Sequence, residues 1–257
     1  MKKKPFRIAS NWKMNPVSLS DAKELARVHK KLSSKYGQLD YELYVPDIYL
    51  SEISRSLKAS VISLGAQSFC PGAVGSFTGE VSLDMLLSVG SKRVLIGHSY
   101  RRSHGISNED VSERIANAIK KKTSMLVCFG EEIRDEKGDY IRELENQLSA
   151  ICTPFGTSPR SLSLLSIAYE PVWAIGSNAQ RAASEHEVFS TMILIRNVLS
   201  KYFGKKKAHA IPLLYGGSVN GENTYALSSI DQVDGFLVGR ASLAKDSLEG
   251  ILKAVSE

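Results

Sequence analysis

The feature that most restricts how this chain can fold is an eightfold alternation. Short β-rich runs recur at residues 6–10, 41–45, 59–64, 93–97, 125–129, 164–169, 210–215 and 235–238. Between them lie segments whose apolar residues recur at helical spacing. Leu19, Ala22, Leu25, Ala26 and His29 share one face, and Val111, Ile115, Ala118 and Ile119 another. Asp21, Asp110 and Ser184 stand where helix starts are expected. Strand alternating with helix, with no linker, sequence repeat or low-complexity tract, puts residues 1–257 in one α/β domain with a parallel sheet. Eight units in about 250 residues is the size of a (β/α)8 barrel. A doubly wound open sheet fits the same pattern, but the Gly-x-Gly-x-x-Gly of one common version is absent after the first strand. Asn11-Trp-Lys-Met-Asn15 stands there instead.

Composition narrows the function classes. With 43% apolar and 23% charged residues, the chain reads as an ordinary soluble globular protein able to bury a sizeable core. Its apolar runs fall well short of the roughly 20 residues of a membrane span. The basic start at 2–7 has no apolar segment of signal-peptide length behind it, so the expected location is cytoplasmic and no membrane partner is expected. The net charge of +6 is spread over three small clusters, at 2–4, 120–122 and 205–207. The second and third fall at expected helix ends, where cations suit the dipole, so no nucleic-acid partner is expected. Cys70, Cys128 and Cys152 are widely spaced, odd in number and in no metal-ligand pattern, which fits reduced thiols.

A barrel places its chemistry on the loops that follow its strands. Asn11 and Lys13 follow the first run, His98 the fourth and Glu170 the sixth. Pro171 pushes Glu170 toward an extended backbone, as at a strand end, and the apolar Trp173-Ala-Ile175 before Gly176 suits a lid over a base. Each residue alone has a bland explanation: a surface cation, a hydrogen-bonded strand-end histidine, a surface carboxylate. Together they supply a base, an acid, a positive charge and an amide, the set needed for proton transfer next to a carbonyl. Tyr215-Gly-Gly-Ser218 and Val238-Gly-Arg-Ala-Ser242, after the last two runs, look like an anion site built on backbone N–H groups.

These residues carry a resemblance. Asn-Trp-Lys-Met-Asn at 11–15, Gly-Ala-Gln at 65–67, Gly-Ser-Phe-Thr-Gly-Glu at 75–80, Gly-His-Ser at 97–99, Cys-Phe-Gly-Glu at 128–131, Ala-Tyr-Glu-Pro-Val-Trp-Ala-Ile-Gly at 168–176 and Tyr-Gly-Gly-Ser-Val at 215–219 occur in one order along nearly the whole chain. In that order they resemble the triosephosphate isomerase family. The resemblance implies a TIM barrel that interconverts dihydroxyacetone phosphate and D-glyceraldehyde 3-phosphate in glycolysis and gluconeogenesis, with no cofactor and no metal. It implies Glu170 as the base moving a proton between C1 and C2, and His98 as the electrophile, a neutral imidazole at a helix N-terminus. Lys13 would supply charge and Asn11 orient the carbonyl oxygen. The backbone at Gly176, Ser218, Gly239 and Arg240 would hold phosphate, under a lid from Pro171 onward that excludes water. The loop 70–80, with Thr78 near its tip, is similar to the segment that reaches into a second subunit, so a homodimer is implied.

Three departures from the family pattern stand out. Tyr100 replaces a glutamate before the paired arginines Arg101 and Arg102, and Ser107 stands where a second glutamate is usual. Losing two carboxylates there removes charge partners, and reduced turnover or a weaker dimer is the expectation. Arg240 replaces a usual glycine, at the expense of strain if the position needs a positive φ. The lid's far end, 177–181, replaces a more usual Thr-Gly-Lys start, for which slower closure is expected. Two rival readings share the barrel: a non-catalytic descendant that binds sugar phosphates or partners, and an enzyme for another phosphorylated small molecule. The match around Glu170 weighs against the latter.

Overall fold

The computed structural model describes residues 5–72, 75–156, 159–176, 179 and 181–257, with the side chains of Pro159 and Arg160 left aside. Its eight strands are β1 (Arg7–Asn11), β2 (Asp40–Val45), β3 (Ser63–Ala66), β4 (Arg93–Ile96), β5 (Ser124–Phe129), β6 (Leu165–Tyr169), β7 (Leu213–Tyr215) and β8 (Gly235–Val238). They form a closed barrel in sequence order, so the doubly wound alternative falls away. The helices are α1 (Leu19–Lys35), α2 (Leu50–Ser56), α3 (Leu83–Ser88), α4 (Ser99–Ser103), α5 (Asn108–Lys120), α6 (Asp139–Cys152), α7 (Glu185–Phe203), α8 (Lys205–Ala208), α9 (Thr224–Ser228) and α10 (Lys245–Ala254).

The chain divides into two compact parts. The first comprises Met1–Val94, Val219–Ser229 and Asp234–Glu257. Here β1 pairs in parallel with both β2 and β8, so that Ile8 lies opposite Tyr41 on one side and Phe236 on the other. Its strands are buried almost throughout, as a parallel sheet covered on both faces requires. Glu42 is fully buried on β2, where it accepts from Tyr44 and pairs with Arg93 and Arg7. Helix α1 starts at Ser18, whose hydroxyl accepts from Asp21 N–H, and buries Ala22, Ala26, His29, Leu32 and Ser33. The expected face included Leu19 and Leu25; Leu19 is 40% exposed and Leu25 only half-buried.

The second part comprises Leu95–Ser218 and Ile230–Val233. Strand β6 pairs with β5 and β7, aligning Tyr169 with Phe129 and Tyr215, so three aromatic residues end three neighbouring strands. Helix α5 buries Val111, Ile115 and Ala118 as expected, and α7 buries Val188, Met192, Ile195 and Leu199. Ser184 caps α7 as expected, with Glu187 completing a capping box.

Other expected boundaries move for local reasons. The run expected at 59–64 becomes a strand only at 63–66, because Ala59 has a left-handed φ of 59° in the turn after α2 and Val61 is 62% exposed. Asp21 and Asp110 lie in first turns, while the caps are Ser18 and Ser107. Lys120–Lys122 does end α5, but Lys205–Lys207 opens a short helix of its own after Gly204. The cluster at 2–4 lies outside the described residues. Cys70, Cys128 and Cys152 are free thiols, and burial pushes Cys152 up to about 12. Among the described residues no helix is long and apolar enough to cross a membrane.

Candidate active site

Two groups of polar side chains gather at strand ends, one in each part of the chain. In the first part, Asn11 ends β1 and is 3% exposed. Its Oδ1 accepts from the backbone N–H of Lys13 at 2.9 Å and from Gln67 Nε2 at 3.2 Å. Gln67 stands just past β3 and also donates to the Lys13 carbonyl at 2.8 Å and the Tyr44 carbonyl at 3.3 Å. This clamp holds Lys13 at a left-handed φ of 54°, a conformation that costs a non-glycine residue on the order of 1 kcal/mol. The Lys13 side chain is exposed and runs toward Gly239, where an added Cβ would sit 3.2 Å from Cε and 3.7 Å from Nζ. Glycine at 239 thus leaves room for the ammonium group. The loop then turns through a 3-10 helix, Arg240–Leu243, in which Ser242 Oγ and N–H both donate to the Gly239 carbonyl. Arg240 is exposed and its φ is not positive, so the strain expected of an arginine there does not arise.

Behind this strand end lies a buried polar cluster that the sequence motifs did not single out. Trp12 Nε1 donates to His29 Nε2 at 3.0 Å, His29 Nδ1 lies 3.0 Å from the Tyr41 hydroxyl, and that hydroxyl lies 3.3 Å from Ser10 Oγ. Burial pushes the His29 imidazole from its ordinary 6.5 down to about 4, opposed in part by the Ser242 carbonyl. Between those two values the unfolded chain holds the proton and the folded chain does not. The folded state therefore loses stability as pH falls from 6.5 toward 4 and is unaffected above that window. At about 1.4 kcal/mol per pH unit, the interval corresponds to about 3 kcal/mol. Urea denaturation of His29→Phe should show a flatter stability profile across this window than the parent; parallel profiles would remove His29 as the cause.

In the second part, His98 is the N-cap residue of α4 and Glu170 follows β6. They are 8% and 3% exposed. His98 Nδ1 accepts from the Tyr100 N–H at 3.2 Å, so a neutral ring carries its proton on Nε2. Nε2 lies 3.2 Å from Glu170 Oε1, and Glu170 Oε2 accepts from the Ser99 N–H at 2.9 Å. The expected base and electrophile are therefore neighbours, and the Ser99 N–H is a further partner of the base.

The segment after Glu170 is tied down at its near end. Glu131, fully buried after β5, accepts at Oε1 from Trp173 Nε1 at 2.9 Å, the Tyr169 hydroxyl at 2.9 Å and Arg134 at 3.0 Å. Its carbonyl accepts from the Val172 N–H at 3.0 Å. Arg181 lies over the Trp173 ring at 4.7 Å and forms two bonds of 2.7 Å to Glu187, which draw that carboxyl down to about 2. Gly176 is exposed with a φ of 81°, while Ser177, Asn178 and Gln180, on which the altered lid end falls, lie outside the described residues. Ser218 is exposed after β7, beyond Gly217, whose lack of a side chain admits the Tyr215 ring. Thr78 is exposed in a loop closed at its base by the Cys70 N–H bonding the Val81 carbonyl; residues 73 and 74 of that loop lie outside the described set.

The altered residues near α4 have partners of their own. Tyr100 is 61% exposed and stacks on His104 at 4.2 Å. Ser107 caps α5 in a reciprocal box with Asp110. Arg102, lowered by burial, donates to the carbonyls of Gly97 and Cys128 and to Asn108 Oδ1 at 2.8 Å, so neutral acceptors take the place of a carboxylate. Because the Tyr100 ring points outward, Tyr100→Glu is expected to leave kcat/KM within about twofold, as for most surface changes. A several-fold gain in a steady-state assay would show that the missing carboxylate matters. Among the described residues no group of three His, Cys, Asp or Glu side chains could hold a metal ion.

A family model described as triosephosphate isomerase matches residues 6–255. A protein of Lawsonia intracellularis named triosephosphate isomerase is 39% identical over 253 residues, covering 96% of this chain and 97% of its own. Namesakes from Flavobacterium johnsoniae and Zygosaccharomyces bailii are 34% and 35% identical, with 96% and 95% of this chain and 98% and 96% of theirs covered.

Proposed function

The chain belongs to the triosephosphate isomerase family, and from that premise we propose that Glu170 and His98 carry out its proton transfers. The enzyme interconverts dihydroxyacetone phosphate and D-glyceraldehyde 3-phosphate, the aldose–ketose step of glycolysis. The observation that carries the residue assignment is the buried pair itself: a carboxylate 3.2 Å from the Nε2 of an imidazole whose other nitrogen is occupied by a backbone N–H.

In this reading Glu170 removes a proton from C1 of the ketose. The C–H electron pair forms the C1–C2 double bond, and the C2 carbonyl oxygen takes up the charge as an enediolate. His98, donating from Nε2, and Asn11 stabilise that oxygen. His98 gives its Nε2 proton to the C2 oxygen and takes the proton of the C1 hydroxyl in its place; Glu170 then returns its proton to C2, and the C1 oxygen becomes the aldehyde carbonyl. Both Glu170 oxygens are engaged in the described arrangement, so the carboxylate serves carbon only after releasing the Ser99 N–H. Every step moves a proton, and no cofactor or metal is assigned.

Lys13 and the backbone at Gly176, Ser218, Gly239 and Arg240 are assigned to the phosphate, with Lys13 also countering enediolate charge. The segment from Pro171 is assigned as a lid; moving it breaks the Trp173–Glu131 bond. Water is thereby kept from an enediol phosphate that would otherwise lose phosphate.

Residues 1–257 are read as one catalytic domain acting in the cytoplasm. A homodimer through residues 70–80 is proposed on the exposure of Phe77, 56%, and Thr78. Equilibrium sedimentation of the parent and Thr78→Arg tests it: a monomeric parent removes the dimer. The catalytic assignment is tested by a coupled assay with D-glyceraldehyde 3-phosphate on the parent and on Glu170→Asp. The parent is expected to turn over and the shortened carboxylate to lower kcat; an inactive parent overturns it.

A further inference from the structure

His29 is the one fully buried histidine in the first part of the chain, and the proton transfers proposed above do not use it. Its ring stands between two segments that sequence places far apart. Nε2 is 3.0 Å from Trp12 Nε1, the residue between Asn11 and Lys13, and also 3.0 Å from the carbonyl oxygen of Ser242, which closes the turn after Gly239. Nδ1 is 3.0 Å from the Tyr41 hydroxyl on β2. An indole N–H only donates and so needs a lone pair on Nε2; a carbonyl only accepts and so needs an N–H there. A neutral imidazole satisfies one of them at a time. With the proton on Nδ1, donated to the Tyr41 hydroxyl, the ring holds Trp12. With the proton on Nε2, the ring holds Ser242, and Nδ1 accepts from Tyr41.

We propose that His29 is a buried positioning residue for the phosphate end of the substrate: its Nε2 lies between the strand end that carries Lys13 and the Gly239–Ser242 turn and bonds one or the other according to which ring nitrogen carries the proton, while Nδ1 anchors the ring to Tyr41. The structural consequence is direct. Lys13 Nζ runs against Gly239, and the carbonyl of Gly239 is held by both the hydroxyl and the N–H of Ser242. A shift of Ser242 therefore carries Gly239 with it, and a shift of Trp12 carries Lys13. His29 touches neither substrate nor reacting atoms; it acts by fixing the spacing of the two groups that do. The proposal rests on the assignment of Lys13 and the Gly239–Arg240 backbone to the phosphate.

The test uses His29→Phe, which keeps a ring of similar size and removes both nitrogens, and His29→Gln, which retains one donor and one acceptor. Inorganic phosphate is the probe, as a competitive inhibitor in the isomerase assay. In His29→Phe, both KM and the inhibition constant for phosphate should rise by about fivefold, the scale of one buried hydrogen bond, while kcat stays within about twofold. His29→Gln should fall between Phe and the parent. A folded His29→Phe protein with unchanged KM and unchanged phosphate inhibition overturns the proposal and leaves the ring as core packing. A parent that phosphate does not inhibit overturns the phosphate assignment itself, and the proposal with it. Should His29→Phe fail to fold, long-range ¹⁵N–¹H spectra of the unsubstituted protein decide: saturating phosphate should move the His29 ring nitrogens, and shifts that stay fixed overturn the proposal.

Discussion

Glu170→Gln is expected to lower kcat by about 10³-fold, within the range that a positioned general base supplies, while KM for the triose phosphate changes by about threefold or less. The amide has nearly the carboxylate's shape, and its oxygen can still accept from the Ser99 N–H that now bonds Oε2 at 2.9 Å. What disappears is the ability to take a proton from carbon. The fold should therefore survive, and a melting temperature close to the parent's would exclude unfolding as the cause. Glu170→Asp makes the complementary case: basicity is kept, but the carboxylate is drawn back by one methylene, so the loss should be smaller and should fall on kcat. Equal turnover by the Gln variant and the parent would remove Glu170 from the chemistry altogether. A loss confined to KM would recast it as a binding group.

The sequence was most informative where a single chain segment carries the signal. Alternating β-rich and helical runs agree with the closed barrel, although they fit an open sheet too, and Glu-Pro marks the strand end at which Glu170 stands, 3% exposed beside His98. Contacts between distant segments were less legible. His29 showed only as one member of a helical face, because its partners lie 17, 12 and 213 residues away. Gln67 and Glu131 stand inside quoted motifs, yet nothing local states that one clamps Lys13 and Asn11 or that the other holds Trp173. Their signal was a polar residue directly after a β-run, the position at which barrel chemistry is expected. The partners of the departures around α4 were illegible for the same reason. Counting lost carboxylates suggested orphaned arginines, whereas Arg102 finds two carbonyls and Asn108, and Ser107 gains a role as a helix cap. Asp21 and Asp110 do mark helix starts, but the capping serine three residues before each belongs to the same device and is the residue the pattern leaves unnamed.

Gly130→Ala tests how far the position of Glu170 is set by backbone rather than by its own side-chain bonds. Gly130 follows β5, and an alanine Cβ there would overlap the carbonyl oxygen of Glu170 and lie 2.6 Å from its carbonyl carbon and 3.3 Å from its Cα. The neighbouring atoms are main chain, so no side-chain rotation relieves the overlap. Nor can Gly130 turn aside: the Gln147 amide accepts from its N–H at 3.1 Å and donates to its carbonyl at 3.0 Å, while the adjacent Phe129 carbonyl accepts from the Glu170 N–H at 2.8 Å. The end of β6 must move instead, taking the carboxylate with it. A displacement of about 1 Å at a catalytic group lowers turnover by about 10²-fold, and overpacking of this kind costs about 1–3 kcal/mol of stability. Gly221→Ala supplies the contrast, since a Cβ there meets nothing within 4 Å and the φ is not positive; that variant should keep parental kcat. Parental kcat in a folded Gly130→Ala protein would mean that the Glu170 side chain finds its working position independently of the strand beneath it. The bonds to Ser99 and His98, rather than the β5–β6 register, would then be what places the base.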